Sequence, residues 1–178
     1  STGNPKGVMV TQRNIIRLIK NNNFIDLTGL NVLQSGTMVF DASTYEIWGS
    51  LLNGGCLCLI DKEDLIDHVK LKKIITEKHI DTALFTVALF NQLVSEDISV
   101  FEKLKIILIG GDKLSRTHVN KLRENNSRIK IINAYGPTEN GVITTTYDIE
   151  KVEEKIFIGR PISNTQVYIM DGMKLCGI

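Results

Sequence analysis

The sequence has no excess of either charge: 21 basic residues stand against 20 acidic ones, leaving a net charge of +1. That balance supplies no field to gather nucleic acid or anionic lipid, so neither is an expected partner. No stretch is long and apolar enough to span a bilayer, and the N-terminus shows neither a charged leader nor a hydrophobic signal region. A cytoplasmic location is expected. Cysteine is scarce, with Cys56 and Cys58 alternating along one apolar run and Cys176 far away. There is no C-x-x-C pair, and His68, His79 and His118 lie far apart, so a reduced, intracellular, metal-free scaffold is expected.

What is present is the apolar content of one sizeable core, 43% hydrophobic against 23% charged. Runs of strand length alternate with segments of helical period, the pattern of βα units around a parallel sheet. The fold class expected is α/β, a mostly parallel sheet flanked by helices. Thr11 is expected to cap a helix that buries Ile15, Ile16, Leu18 and Ile19. A strand is expected over Thr37–Phe40, then a capping box Ser43-x-x-Glu46 opening a helix with Ile47, Trp48, Leu51 and Leu52 at helical spacing.

The cysteine run reads as a buried strand, followed by one amphipathic helix over Asp64–Lys78, a strand over Thr82–Phe85 and a helix over Val87–Val94. Further strands are expected at Lys105–Ile109 and Ile129–Ile132, with a basic helix Ser115–Glu124 between them. From Val142 the helices stop, and Ile143–Tyr147 and Val167–Met170 read as β. This divides the chain into an α/β core, 1–147, and a β-rich portion, 148–178. The chain opens without methionine inside a glycine-containing loop and stops without a closing element, so both ends read as cuts.

In open α/β sheets ligands sit outside the carboxyl ends of the strands, which directs attention to four segments. The opening loop Ser1-Thr2-Gly3-Asn4-Pro5-Lys6-Gly7 combines small residues, hydroxyls and a lysine able to wrap a polyphosphate, or it is a plain turn; it lacks the Gly-Lys-Ser/Thr of a Walker loop. Asp41 stands just before a helix start, where the dipole favours an ionised carboxylate that wants a cationic ligand; the alternative is a local turn or cap residue. Glu46 reads as a cap rather than a catalyst. Gly110-Gly111-Asp112 closes an apolar strand. Asn133 to Glu139 sets an amide, a ring, a turn, a hydroxyl and a carboxylate in one strand-to-loop transition. Tyr135 can stack on a base, Asn133 can bond its amino edge, Thr138 can bind phosphate and Glu139 can hold Mg²⁺, unless the segment is a simple reverse turn at Gly136-Pro137.

Ser-Thr-Gly-Asn-Pro-Lys-Gly, Phe-Asp-Ala-Ser-x-x-Glu and Asn-Ala-Tyr-Gly-Pro-Thr-Glu, in this order, resemble three successive core motifs of non-ribosomal peptide synthetase adenylation domains, and Ile158-Gly159-Arg160-Pro161-Ile162 resembles a segment that follows them. The resemblance runs over essentially the whole chain, within the large N-terminal subdomain. It implies a ligase of antibiotic-type peptide biosynthesis that uses ATP and Mg²⁺ to make an aminoacyl-adenylate and then loads the phosphopantetheine thiol of a carrier protein. Carrier and condensation domains are the implied partners.

By the resemblance Ser1, Thr2, Gly3 and Lys6 contact the pyrophosphate part of ATP, Thr138 and Glu139 serve phosphate and Mg²⁺, and Gly111, Asn133, Ala134, Tyr135 and Gly136 surround the nucleotide. The side-chain pocket resembles Asp41, Ala42, Tyr45, Leu84, Leu108, Gly110, Ala134, Val142 and Ile143, with Asp41 meeting the substrate's ammonium. Apart from Asp41 this wall is apolar, and the small Gly110 and Ala134 leave room, so an aliphatic amino acid such as leucine is expected. The family's ribose-binding aspartate segment and small C-terminal subdomain have no counterpart here, so little or no adenylation is expected of the chain alone. Self-association through exposed cut surfaces is expected. Two other readings stay open, a related acyl-acid ligase and a non-catalytic nucleotide-binding or interaction fragment.

Overall fold

The computed structural model describes residues 7–151 and 154–176. Its elements are α1 (Gln12–Ile19), β1 (Asn31–Gln34), α2 (Ala42–Leu51), β2 (Cys56–Leu59), α3 (Lys62–Ile66), α4 (His68–Glu77), β3 (Thr82–Thr86), α5 (Val87–Glu96), β4 (Ile106–Gly110), α6 (Arg116–Asn125), β5 (Lys130–Tyr135), β6 (Thr145–Asp148) and β7 (Arg160–Pro161), with a small hairpin of β8 (Met170–Asp171) and β9 (Lys174–Leu175). The main sheet runs β2-β1-β3-β4-β5-β6-β7; its first five strands are parallel and the last two antiparallel.

Strand side chains alternate between faces, and each face of this sheet has its own core. Ile107, Ile109 and Ile131 join α4, α5 and α6 through Leu71, Ile75, Phe90, Leu93, Val119 and Leu122. Leu108, Ile132 and Ala134 face the other way, onto Leu18 and Ile19 of α1 and Tyr45 of α2. The strands thus read as near-continuous apolar runs because both faces are covered. The α/β expectation and its parallel sheet hold.

Several local expectations do not. The first strand is Asn31–Gln34, not Thr37–Phe40: Val32 and Leu33 are fully buried between β2 and β3, while Met38, Val39 and Phe40 form an exposed turn. The expected helix over Asp64–Lys78 is broken at Asp67, whose carboxylate accepts from the N–H groups of Val69 and Lys70 and caps α4. The cysteine strand is the sheet edge rather than a buried strand; Cys58 is buried but Cys56 and Leu59 are exposed. Of the residues expected inside α1, Ile16 is exposed. Val167–Met170 is not a strand over its length; only Met170 enters one.

The capping box at Ser43 is also absent. Helix α2 starts one residue before it, and Ser43 Oγ donates to Phe40 O. Glu46 is fully buried and takes Ser35 N–H, Ser35 Oγ and Gly36 N–H, closing the loop after β1. Consequently α2 lays Ser43, Tyr45, Glu46, Gly49 and Ser50 inward, and its apolar Trp48, Leu51 and Leu52 point outward.

Candidate nucleotide and amino-acid site

The carboxyl ends of β4 and β5 lie side by side, with Gly110 opposite Ala134 in register. Beyond them opens a cleft of about 1080 Å³ walled by residues 111–116, 133–136 and 154–158. Tyr135, half exposed, is among the residues that line it. Asn133 is buried, and its Nδ2 donates to Phe157 O at 2.7 Å, which fastens the third wall to β5. Phe157 also packs edge-on against Tyr147 of β6 at 5.7 Å. Gly111 turns the chain away at a φ of +91°, a left-handed conformation that side chains resist.

Two walls of this cleft are only partly legible in the sequence. Gly111 and Asp112 belong to a segment that it singles out, and Ile158 opens the Ile158-Gly159-Arg160-Pro161-Ile162 segment. Residues 113–116 read only as the approach to a helix, and 154–155 as the end of a charged connector.

Asp41 stands at the N-terminus of α2 and accepts a hydrogen bond from Thr138 Oγ1 at 2.6 Å, so two motifs distant in sequence meet. Gly136 lets the loop beyond β5 fold back closely on residues 142–144: a Cβ there would lie 2.5 Å from Val142 O and 2.7 Å from Thr144 N. Glu139 follows on an exposed 3-10 turn, Thr138–Asn140. Lys6, Ser1, Thr2 and Gly3 lie outside the described residues.

Of the expected side-chain pocket, Tyr45, Leu108, Ala134 and Ile143 share one core cluster, with Leu84 and Val142 packed against it. Ala42 begins α2 beside Asp41. Of the two small residues expected to leave room, Ala134 lines the large cleft and Gly110 does not. A Cβ on Gly110 would stand 2.6 Å from Ala134 O, so the small residue serves close strand packing. The cavity that touches Asp41, Thr138 and Val142 holds only about 20 Å³, room for about one water and not for an amino-acid side chain. Tyr45 is fully buried with its hydroxyl unpartnered, and burial pushes that phenol far above its ordinary range.

Among the described residues no helix is long and apolar enough to cross a membrane, and no group of three or more His, Cys, Asp or Glu side chains is placed to hold a metal.

The AMP-binding enzyme family matches residues 1–176. Tyrocidine synthase 3 of Brevibacillus parabrevis is 42% identical over 174 residues, 97% of this chain but 3% of that protein. Bacitracin synthase 1 of Bacillus licheniformis is 42% identical over 175 residues, 96% of this chain and 3% of that protein. Among solved structures, PA1221, a non-ribosomal peptide synthetase protein containing adenylation and PCP domains, superposes with a TM-score of 0.90 at 33% identity, over 100% of this chain and 37% of that one. The N-terminal subdomain of Klebsiella oxytoca NpsA, solved with 3-hydroxybenzoyl-AMSN, gives 0.89 at 26% identity, over 99% of this chain and 46% of that one. The chain thus spans a small part of the peptide synthases it matches and less than half of these solved neighbours. On the family match, this chain belongs to the AMP-binding enzymes, in the company of non-ribosomal peptide synthetase adenylation domains.

Proposed function

We propose that this chain forms the ATP-binding and amino-acid-binding part of an adenylation domain that activates an aliphatic amino acid, leucine first. The observation that carries the reading is the convergence of Asp41, Thr138, Tyr135 and Gly111 at the carboxyl ends of one parallel sheet. In this reading Tyr135 stacks on adenine in the cleft. Because Asn133 Nδ2 is already given to Phe157 O, an amino edge would meet its Oδ1. Asp41 takes the substrate's ammonium in place of the Thr138 hydroxyl, which turns to phosphate.

The amino acid's carboxylate oxygen then attacks the α-phosphorus in line, the bond to the β-phosphate oxygen breaks, and pyrophosphate leaves. The protein's contribution is positioning and charge stabilisation, with no covalent enzyme intermediate. Mg²⁺ is commonly held by one or two carboxylates plus substrate phosphates, and the exposed Glu139 beside Thr138 fits that donor set. Bound there, the ion would neutralise charge on the departing pyrophosphate. Lys6 and the opening loop complete the phosphate contacts, and a carrier domain's phosphopantetheine thiol accepts the activated residue. The expected surroundings are cytoplasmic, with condensation and carrier domains on the same polypeptide.

An aliphatic side chain is supported by the apolar character of Tyr45, Leu84, Leu108, Val142 and Ile143; admitting it requires the roughly 20 Å³ space to widen. The outward Trp48, Leu51 and Leu52 support self-association of the isolated chain, which analytical ultracentrifugation over a concentration series reads. Function is tested by ATP–pyrophosphate exchange with the intact polypeptide that contains this chain. Leucine should support exchange, 4-methylpentanoate, which lacks the amine, should not, and Asp41→Ala should abolish it. Exchange driven only by amine-free acids would assign an acyl-acid ligase, and nucleotide binding without any exchange a binding module.

A further inference from the structure

Arg17 lies on α1, outside every motif that the sequence put forward, yet its guanidinium converges on the loop that carries Thr138 and Glu139. Nη2 donates to Asn140 O at 2.5 Å and to Gly141 O and Ile143 O at 3.2 Å each. Nη1 donates to Thr165 Oγ1. Among the described residues Arg17 has no carboxylate in an ion pair, and its partial burial pulls its pKa down. A desolvated cation is here held at Nη2 by three carbonyls of one loop and at Nη1 by the Thr165 hydroxyl, and this second, fixed donor nitrogen is what a lysine ammonium cannot supply.

The loop needs holding. Gly141 and Val142 stand consecutively at φ +69° and +72°, and Ile143 N–H bonds back to Gly141 O at 3.0 Å. That makes Val142 the centre of a γ-turn of positive φ, a rare and strained form, and a β-branched side chain is among the least tolerant of it. Arg17 grips the carbonyl on each side of Val142, Gly141 O and Ile143 O. Strain of this kind persists only where the surroundings over-determine it.

We propose that Arg17 is a positioning residue, holding the strained turn at Val142 so that Thr138 stands against Asp41 and Ile143 closes the pocket wall. This rests on the adenylation reading for its functional consequence but not for its structural one. Loss of the clamp lets the turn relax, and the backbone from Thr138 to Ile143 leaves the register it keeps with Asp41.

The test is a cycle of Arg17→Met and Arg17→Lys, each in the native and the Val142→Gly background, since glycine adopts positive φ without strain. Hydrogen exchange on this chain should show Arg17→Met accelerating the Gly141, Ile143 and Thr144 amides about tenfold or more, while β3 and β4 amides keep their protection. Arg17→Lys should recover only part of this. In the Val142→Gly background the effect of losing Arg17 should shrink to about threefold or less. In the intact polypeptide kcat/KM for pyrophosphate exchange should fall about tenfold with Arg17→Met.

Unchanged loop amides, or an equal effect in both backgrounds, would overturn the proposal, the second outcome reducing Arg17 to general stability. If Arg17→Met does not fold, Arg17→Lys is read through the same cycle. Absence of exchange activity in the unaltered polypeptide would count against the adenylation reading only, with the amide cycle still judging the clamp.

Discussion

Thr138 donates its hydroxyl to Asp41 across 2.6 Å, joining a loop beyond β5 to the N-terminus of α2 although 97 positions separate them. The length lies at the short end of the ordinary O–H···O range. A double-mutant cycle of Thr138→Val and Asp41→Ala is expected to return a coupling of about 1–2 kcal/mol in urea denaturation. Additive effects would mean that the contact contributes nothing.

Glu46 is ionisable, buried and surrounded by donors, and burial raises its pKa above the ordinary carboxylate value despite the hydrogen bonds from Ser35 and Gly36. The folded state therefore holds the proton more tightly than the unfolded chain, and stability is lost as pH rises through the folded pKa. The stability difference between the native protein and Glu46→Gln should fall as pH rises above the ordinary glutamate range. A difference that grows over that range would reverse the sign.

Gly136→Ala should destabilise by about 1–3 kcal/mol, because the added carbon meets backbone of Val142, Ile143 and Thr144 rather than a movable side-chain end. Thermal denaturation reads the loss. An unchanged Tm would show that the turn can retreat.

Phe101 packs edge-on against Phe85 at 6.1 Å and Phe90 at 5.7 Å, with all three fully buried. Phe101→Ala should cost about 3–5 kcal/mol in urea denaturation, through lost transfer energy and the cavity left behind.

Much of the fold was legible where local pattern and tertiary role agree. The apolar runs at 105–109 and 129–132 mark strands covered on both faces, Ile106–Gly110 and Lys130–Tyr135, although β5 continues past its run through Asn133 to Tyr135. Helix α5 follows the helical period of Phe90, Leu93 and Val94. Helix α2 shows the opposite. Its most apolar residues face outward, because the buried Glu46 and Ser50 find partners in the loop after β1 and in their own helix. No helical period reveals that a carboxylate will be satisfied by a loop that precedes its helix.

The candidate site divides the same way. The sequence by itself determined the α/β alternation, the ordered motifs and thereby the family, since these reside in residue type and spacing along the chain. Only the tertiary structure decided that Asp41 meets Thr138, that Asn133 spends its amide donor on Phe157, that the space beside Asp41 is narrow, and that Arg17 fastens the turn at Val142. Each is a contact between residues remote in sequence, made by directional donors and hard-sphere volumes that exist only once the sheet has brought its strand ends together.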